Sequence, residues 1–423
     1  MLFYAWICFP IIKLLVPSMR APGWFTNQNS MKNSWLMTTL LFLGKWDWMY
    51  GWYENKCFDC YRFITYREND RVESQYGKDI YMNKHYINSS ERKDNMKDRI
   101  KKLKQYIRDG KHKKHRLDIK LDILEECING GLSSVQRAAH LTRRMCETEQ
   151  PVILTDEKIV FTRTIPSIPS VYSSEEWAQL STNRTLHELG TISNICGDWG
   201  MVLTQGLLGR KKAALTAREI NKEDHQVIEF LDCAIETIDA VLTLSTKYAN
   251  KARRMNRYDL AEILEHVPAN PPRSFHEALQ GLRLLHAVVW LGGHYHVGLG
   301  RFDQYMWPYL KADLNSGRLD IEGAEEILAE FFISLNKDSD FYPGVQQGDN
   351  GQTLMVGGVT PEGIDGCNEL TRMVLRVACD VAMIDPKINL RFSGQRIYPQ
   401  SGYAGADIRL SGMPTVTAQQ LER

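Results

Sequence analysis

The sequence predicts an α/β protein with a helical N-terminal portion followed by part of a β/α barrel. From about Asn95 onward, apolar residues recur at the spacing of amphipathic helices. Near the end of the chain, two strand-like segments, 353–359 and Lys387–Arg391, flank a helical segment at 368–381. Strand, helix and strand of these lengths form a βαβ unit, which places the two strands in parallel in a sheet or barrel.

The composition is that of a globular protein. The chain has 423 residues, of which 43% are hydrophobic and 24% are charged, with a formal net charge of +1. These values exclude wholesale disorder, a collagen-like fibre and a disulfide-stapled mini-protein. The near-neutral charge gives no electrostatic reason to expect a nucleic-acid partner, and the basic stretch 82–120 is interpreted as a solvated helix face. Nine irregularly spaced cysteines form no disulfide framework, so we expect a cytoplasmic location.

The first 95 residues differ in character from the rest. Six of the ten tryptophans lie within the first 52 residues. The apolar run 2–16 is interrupted by Pro10 and Lys13, and it is shorter than the ~20 residues of a membrane-spanning helix. It also lacks the preceding positive charge of a secretory signal. We therefore expect no membrane anchor, and we treat 1–95 as an unassigned leader, with a non-native origin as a hypothesis.

Helices are predicted from periodicity and from capping sequences. Residues 100–107 place apolar side chains at helical spacing among lysines and arginines, and Gly110 follows as a stop. Two segments, 173–176 and 274–277, have the Ser-x-x-Glu spacing of a capping box, in which each side chain accepts a free backbone N–H of the other residue. The second opens an apolar helix that we expect to be buried. Residues 321–335 form another helix with an inward apolar face.

Four segments together carry a family resemblance. In chain order they read PPRSFHEALQ at 271–280, GRFDQYMWPY at 300–309, GGVTPEG with NEL at 357–363 and 368–370, and DPKINLR at 385–391. In type, order and separation they resemble the motifs of the glycyl radical enzymes, the family typified by pyruvate formate-lyase. The resemblance covers roughly 96–391. It implies that the fold is an incomplete β/α barrel of the pyruvate formate-lyase type, preceded by the helical part.

The resemblance also implies a chemistry and a set of partners. In this family a protein glycyl radical, installed by a separate radical S-adenosylmethionine activase, takes a hydrogen from a Cys thiol inside the barrel, and the thiyl radical attacks the substrate. No bound cofactor is implied. The expected partners are the activase, a small organic-acid or polyol substrate, and a second copy of the chain in a homodimer. Formate acetyltransferase, carbon–carbon or carbon–oxygen lyase and dehydratase reactions all stay open.

Neither radical-bearing loop of the family is found in the sequence. The resemblance ends at about residue 392, before the expected Cys loop, and SGYAG at 401–405 does not reproduce the Gly loop. Cys367 and Cys379 precede the last matched strand and are interpreted as buried structural thiols. We therefore interpret 96–391 as the N-terminal half of the domain, inactive alone, and 392–423 as an unmatched tail. The alternative is a non-catalytic interaction module that docks on a complete homologue or on a separately encoded C-terminal half.

The resemblance suggests substrate-binding candidates. In several relatives the stretch before the GRxDQ motif lines the substrate cavity, so His294, Tyr295 and His296 are candidates for hydrogen bonding to a substrate oxygen. The alternative is that they cap backbone groups beside the Gly-rich turn. No third ligand accompanies the two histidines, so no metal is expected. Asp198 lies where relatives carry a substrate-contacting stretch, and it is a candidate base.

Charged residues of the signature and of the last strand complete the set. Arg391, at the end of a predicted barrel strand, is a candidate for holding a carboxylate in a bidentate fork; the alternative is an ion pair with an acid on the neighbouring strand. The signature itself is interpreted as structural, part of an internal ion-pair and capping network. The signature residues to which this interpretation applies are Gly300, Arg301, Asp303 and Gln304.

Overall fold

The computed structural model describes residues 97–182, 192–338 and 352–391. Within them the helices and strands follow one another in a mostly helical first part and an α/β second part. The helices are α1 Asp98–Arg108, α2 Ile123–Asn129, α3 Ser134–Thr148, α4 Ser174–Thr182, α5 Trp199–Ile220, α6 His225–Arg254, α7 Tyr258–His266, α8 Phe275–Leu291, α9 Phe302–Tyr305, α10 Trp307–Ser316, α11 Ile321–Leu335 and α12 Glu369–Val381. The strands are β1 Ile192–Cys196, β2 Tyr295–Gly298, β3 Gly300–Arg301, β4 Thr353–Gly357 and β5 Lys387–Arg391.

The predicted N-terminal helix is confirmed as α1, with its periodic apolar residues buried. Its polar side attaches to the second half of the described chain. The Arg99 guanidinium donates to the carboxylates of Glu326 and Glu330 on α11, at 2.6 and 2.5 Å. These acids lie more than 220 residues away in sequence, so α1 is part of the α/β unit rather than a free basic helix.

One of the two predicted capping boxes is complete. At the start of α4, Ser173 and Glu176 exchange hydrogen bonds at 2.8 and 3.2 Å. At the start of α8, Ser274 accepts the Glu277 N–H at 3.2 Å, but the Glu277 carboxylate accepts the N–H of Arg273 instead of that of Ser274. The reciprocal half of that prediction is therefore wrong. The Arg273 guanidinium also binds the Glu277 carboxylate, at 2.6 Å, and that ion pair draws the carboxylate one residue upstream.

The strands within the described ranges pair in parallel, and one of them is divided. The first half of the divided strand, β2, pairs with β1, and its second half, β3, pairs with β4, which in turn pairs with β5. Only Leu299 separates the two halves, and its N–H donates to the Thr353 carbonyl at 2.7 Å. The strand order is thus β1, β2/β3, β4, β5, a staggered parallel layer with the character of part of a barrel wall.

The β4–α12–β5 unit confirms the predicted βαβ. Its strands pair from Thr353 with Lys387 to Gly357 with Arg391. Leu354 and Val356 are fully buried, and Ile388 and Leu390 pack against the same core, so these four side chains lie on the helix-covered face. The fold class, a helical part followed by an incomplete β/α barrel, is confirmed. Strand β4 ends two residues earlier than predicted, because Gly357 turns the backbone with φ of +70°.

An irregular segment, 150–165, runs through the interior and is held by buried side chains. The Gln280 side-chain amide bonds both backbone groups of Val160, at 2.8 and 3.0 Å. Lys337 forms a fully buried ion pair with Glu157. Next to it on the chain, Asp338 accepts from Arg283 on α8 at 2.7 Å. Side chains thereby replace the sheet or helix partners that buried backbone normally has.

Some predictions fall outside the described residues, among them the leader 1–95 and the tail 392–423. The description of Cys379 as a buried thiol is wrong, because its position on α12 is exposed, whereas Cys367 is half-buried. None of the helices in the described ranges is long and apolar enough to cross a membrane.

Candidate functional site

The GRxDQ signature lies where the divided strand ends and connects to the turn that follows β4. Arg301, the last residue of β3, donates from its guanidinium to the carbonyls of Val359 and Gly357 at 2.7 and 2.8 Å. Both acceptors belong to the Gly-Gly turn, more than 50 residues further along the chain. Arg301 therefore fixes the path of the backbone as it leaves β4.

Asp303 also holds the Gly-Gly turn in place. Its carboxylate accepts the N–H of Gly357 at 2.7 Å and the hydroxyl of Thr371 at 2.5 Å. The side chain is fully buried, and this burial raises the pKa of Asp303, opposed by the hydrogen bonds from Gly357 and Thr371. One carboxylate thus ties the end of β4 to the first turn of α12.

Gln304 and Asn368 close the network. The Gln304 amide donates to the Gly366 carbonyl at 2.6 Å, and the Asn368 amide donates to the Asp303 carbonyl at 2.8 Å. Asn368 also caps α12, accepting the Thr371 N–H at 3.1 Å. The contacts of the signature are hydrogen bonds to backbone and hydroxyl groups, and its interpretation as an internal ion-pair and capping network stays a prediction. Thr371, which sequence reasoning missed, occupies the third helical position, where a capping partner is expected.

Gly300 is required by a close approach. Its φ is +62°, and a methyl group on it would lie 2.9 Å from the sulfur of Cys196 at the end of β1. A side chain at this position would be strained and would also collide with Cys196. The first Gly of the signature therefore lets the divided strand pass against β1.

Asp198 lies beyond the end of β1 and caps helix α5. Its carboxylate accepts the Met201 N–H at 3.0 Å. Next to it, the Trp199 indole donates to the Gly298 carbonyl at 3.0 Å, which joins the start of α5 to the end of β2. A methyl group on Gly200 would lie 3.8 Å from the Asp198 carboxylate and 3.1 Å from Tyr305 of the signature helix. Asp198 is thus near the signature while already accepting one bond.

His294 lies at the opposite end of the strand. It immediately precedes β2, is buried, and has a pKa lowered to about 4 by that burial. Its surroundings include Gly292 and Thr142 of α3. Tyr295 and His296 contribute backbone to β2, but their side chains are not among the parts of the chain that the structure describes. The structure therefore does not bring His294 to the edge where Arg301, Asp303 and Arg391 meet.

Arg391 ends β5 beside the Gly-Gly turn. It is paired in register with Gly357, and its side chain is exposed. A methyl group on Gly358 would lie 3.0 Å from the Cβ of Arg391 and 3.7 Å from an Nη atom of Arg301. The two arginines therefore flank the same glycine. The predicted alternative, an ion pair between Arg391 and an acid on the neighbouring strand, is not formed among the described residues.

His286 is a buried polar residue that sequence reasoning missed. One ring nitrogen lies 2.9 Å from the Val297 carbonyl in β2, and burial lowers the pKa of His286 to about 4. The neutral ring therefore donates to that carbonyl through Nε2. Its position in an apolar helix, facing Trp199 and Trp290, gave no polar signal in the sequence. Among the described residues, no group of three or more His, Cys, Asp or Glu side chains is arranged to hold a metal ion.

Comparison with known proteins identifies the family of this site. The family model of pyruvate formate lyase-like proteins matches residues 168–398, more than half of the chain. The chain belongs to the pyruvate formate lyase-like family. The match spans the signature, the Gly-Gly turn and the last strand, so the network described above belongs to a part of a glycyl radical enzyme domain.

Curated members of the pyruvate formate lyase-like family with similar sequences carry different names. The isethionate sulfite-lyase of Oleidesulfovibrio alaskensis is 28% identical over 208 residues, which cover 42% of this chain and 24% of that protein. The trans-4-hydroxy-L-proline dehydratase of Clostridioides difficile is 28% identical over 180 residues, which cover 37% and 22%. The chain thus aligns with about a quarter of the length of these relatives.

Solved structures show the same fold. The glycerol-bound B12-independent glycerol dehydratase of Clostridium butyricum superimposes with a TM-score of 0.58 at 21% identity, covering 70% of this chain and 47% of that one. A glycyl radical enzyme of Archaeoglobus fulgidus also gives 0.58 at 21% identity, covering 70% and 48%. The present chain therefore spans about half the length of these structures.

Proposed function

We propose that this chain supplies the N-terminal half of a glycyl radical lyase or dehydratase and is inactive alone. The observation that carries the proposal is the network in which Arg301 and Asp303 hold the turn after β4 and the start of α12. Such a network serves to position the carboxyl ends of parallel strands, where ligand sites of α/β barrels are built. Formate acetyltransferase is the alternative reaction, and the similar curated relatives favour a lyase, since their names include a sulfite-lyase and a dehydratase.

In this proposal the chain's own residues bind and orient substrate. Asp198 is the candidate base, Arg391 the candidate anion holder, and His294, Tyr295 and His296 candidate hydrogen-bonding groups. The glycyl radical, when installed by an activase, supplies the hydrogen abstraction, and neither a Cys loop nor a Gly loop for it is recognised in this sequence. We also propose a cytoplasmic location, a small organic-acid or polyol substrate, and the homodimer of the family, with no metal.

Electron paramagnetic resonance tests the proposal. The purified 423-residue chain, incubated anaerobically with an activase and S-adenosylmethionine, is expected to give no glycyl radical doublet. A doublet from this chain alone would contradict the proposal that the chain lacks the radical Gly. Mixing the chain with a separately expressed C-terminal half that carries both loops is expected to give the doublet and substrate turnover.

The second candidate function is a non-catalytic interaction module. It is favoured by the two sheet edges, β1 and β5, which have no further strand partner among the described strands. Under this alternative the chain binds a complete homologue, and the turnover of that homologue does not depend on residues of the chain. The two-half mixture separates the cases: turnover that Asp198→Asn lowers at least tenfold supports the enzyme half, whereas binding of the chain to a complete homologue without any turnover by the two-half mixture supports the module.

A further inference from the structure

One face of the sheet, which none of the described helices covers, carries a row of polar side chains. Side chains alternate between the two faces along a strand. Because Ile388 and Leu390 face the helix-covered core, Asn389 and Arg391 project from the other face, and both are exposed. Their register partners on β4 are Met355 and Gly357. The row therefore leads along β5 toward the carboxyl edge of the sheet, where the Gly-Gly turn begins.

At that edge the side chains of Arg391 and Arg301 both approach Gly358. A methyl group on Gly358 would lie 3.6 Å from the Cδ of Arg391 and 3.7 Å from an Nη atom of Arg301. The φ of Gly358 is +77°, so glycine is favoured there twice over, by its backbone and by the two side chains that crowd it. The absent side chain leaves the space above Gly358 to the two arginines.

The positive charge of Arg301 is partly balanced by the Asp303 carboxylate, because their attraction opposes the rise in the pKa of Asp303. The Arg301 guanidinium donates to two neutral carbonyls, and its Nε is buried without a hydrogen-bond partner. Asp303, the acid in the same network, is fully buried, and its oxygens already accept from Gly357, Thr371 and Gln304. Arg391 has no ion pair among the described residues. An anion bound beside Arg391 would supply the counterion that this exposed guanidinium lacks in the described part of the chain.

We propose that Arg391, beside Arg301 across Gly358, forms a binding site for the oxyanion group of a small organic acid, so that the substrate is an acid rather than a polyol. Arg391 is the residue that reaches the ligand, because a guanidinium presents two parallel N–H donors to a carboxylate or sulfonate. Arg301 contributes its charge and holds the turn. Asn389, two residues back on the same face, offers an amide to a second polar group about 7 Å away along the strand. That the bound acid is a substrate rests on the proposed function, whereas binding of the acid does not require turnover.

The test is direct binding to the full 423-residue chain by isothermal titration calorimetry. The probes are glycolate, methanesulfonate, inorganic phosphate, and ethylene glycol, which is the neutral counterpart of glycolate. We expect saturable binding of the two organic anions and at least tenfold weaker binding of ethylene glycol. Phosphate binding as tight as glycolate binding would overturn the assignment to an organic acid, and equal binding of ethylene glycol would overturn the assignment to an anion.

Variants identify the binding arginine. Arg391→Gln is expected to weaken glycolate binding at least tenfold, with a smaller loss for Arg391→Lys, which keeps the charge and loses the fork. Arg254→Gln, which removes an exposed charge at the end of α6, is the matched control and is expected to leave the affinity within twofold. Equal losses in R391Q and R254Q would reduce the effect to overall charge and overturn the site.

A second measurement does not depend on variants. Phenylglyoxal modifies accessible guanidinium groups, and peptide mass analysis reports each arginine separately. Glycolate is expected to slow the modification of Arg391 at least fivefold and to leave that of Arg254 unchanged. Absence of selective protection at saturating glycolate would contradict the proposal. Both measurements omit activase and S-adenosylmethionine, so their outcome is separate from the radical test of the proposed function.

Discussion

The carboxylate of Asp303 accepts the backbone N–H of Gly357 at 2.7 Å, across 54 residues of sequence. The same oxygen accepts the hydroxyl of Thr371. A buried acceptor that serves a strand end and a helix start couples the two elements, so that β4 and α12 keep one relative position. This bond joins the signature Asp to the Gly-Gly turn far along the chain.

Removing that acceptor is expected to destabilise the fold. Asp303→Ala leaves the Gly357 N–H and the Thr371 O–H buried without an acceptor, which costs about 2–4 kcal/mol of unfolding free energy. Asp118→Asn, at an exposed position, is the control and is expected to stay within about 0.5 kcal/mol. Urea unfolding followed by circular dichroism measures both. A D303A midpoint equal to that of the parent chain would contradict the role given to this carboxylate.

The two glycines of the turn region allow backbone strain to be separated from crowding. Gly358 and Gly363 have φ of +77° and +79°, but only Gly358 has neighbouring atoms within 4 Å of an added methyl group. Gly363→Ala is expected to cost about 1 kcal/mol, from the left-handed backbone alone. Gly358→Ala is expected to cost more, because the methyl group would also lie 3.0 Å from the Arg391 Cβ. Equal losses in unfolding midpoints would mean that Arg391 can move aside freely.

The buried pair of Glu157 and Lys337 predicts a strongly non-additive cycle. Both side chains are fully buried, so Lys337→Met alone leaves a carboxylate without its cation and is expected to cost about 3–5 kcal/mol. The double variant Glu157→Gln with Lys337→Met removes both charges and is expected to recover more than half of that loss. The cycle is completed by measuring the free energies of unfolding of the parent chain, the single variants Glu157→Gln and Lys337→Met, and the double variant. Additive losses would show that the two groups do not interact.

Two buried histidines predict a loss of stability on acidification. The pKa values of His286 and His294 are lowered from 6.5 to about 4 in the folded chain, because burial disfavours the charged ring. The unfolded chain therefore binds protons first, and the stabilisation that is complete above pH 6.5 is lost as the pH falls toward 4. At pH 5 the loss is about 2 kcal/mol per histidine relative to neutral pH.

The pH dependence is measured from urea midpoints between pH 7.5 and 5. His286→Gln is expected to reduce the slope, because its amide keeps a donor for the Val297 carbonyl while removing the titration. His225→Gln is the control, since this residue is exposed at the start of α6, and the slope is expected to stay unchanged. A slope that H286Q leaves intact would show that His286 is already protonated in the folded chain.

The sequence by itself determined the local elements and the family. The periodicity of 321–335 and the βαβ pattern gave α11, β4, α12 and β5 nearly to the residue, because helix and strand spacing depends on near neighbours. The four ordered motifs were enough to predict the resemblance, which the match over 168–398 confirms. The sequence also suggested a structural role for Arg301 and Asp303, but it did not indicate the groups to which they bond.

Only the tertiary structure decided where the candidate site residues lie. Asp198 caps a helix, His294 is buried at the far end of its strand, and Arg391 and Arg301 both approach Gly358. The tertiary structure also showed that the Glu277 carboxylate accepts the N–H of Arg273 rather than completing the capping box with Ser274. These relationships depend on atoms brought together across long stretches of chain, where hydrogen-bond geometry and burial, not spacing along the sequence, select the partner.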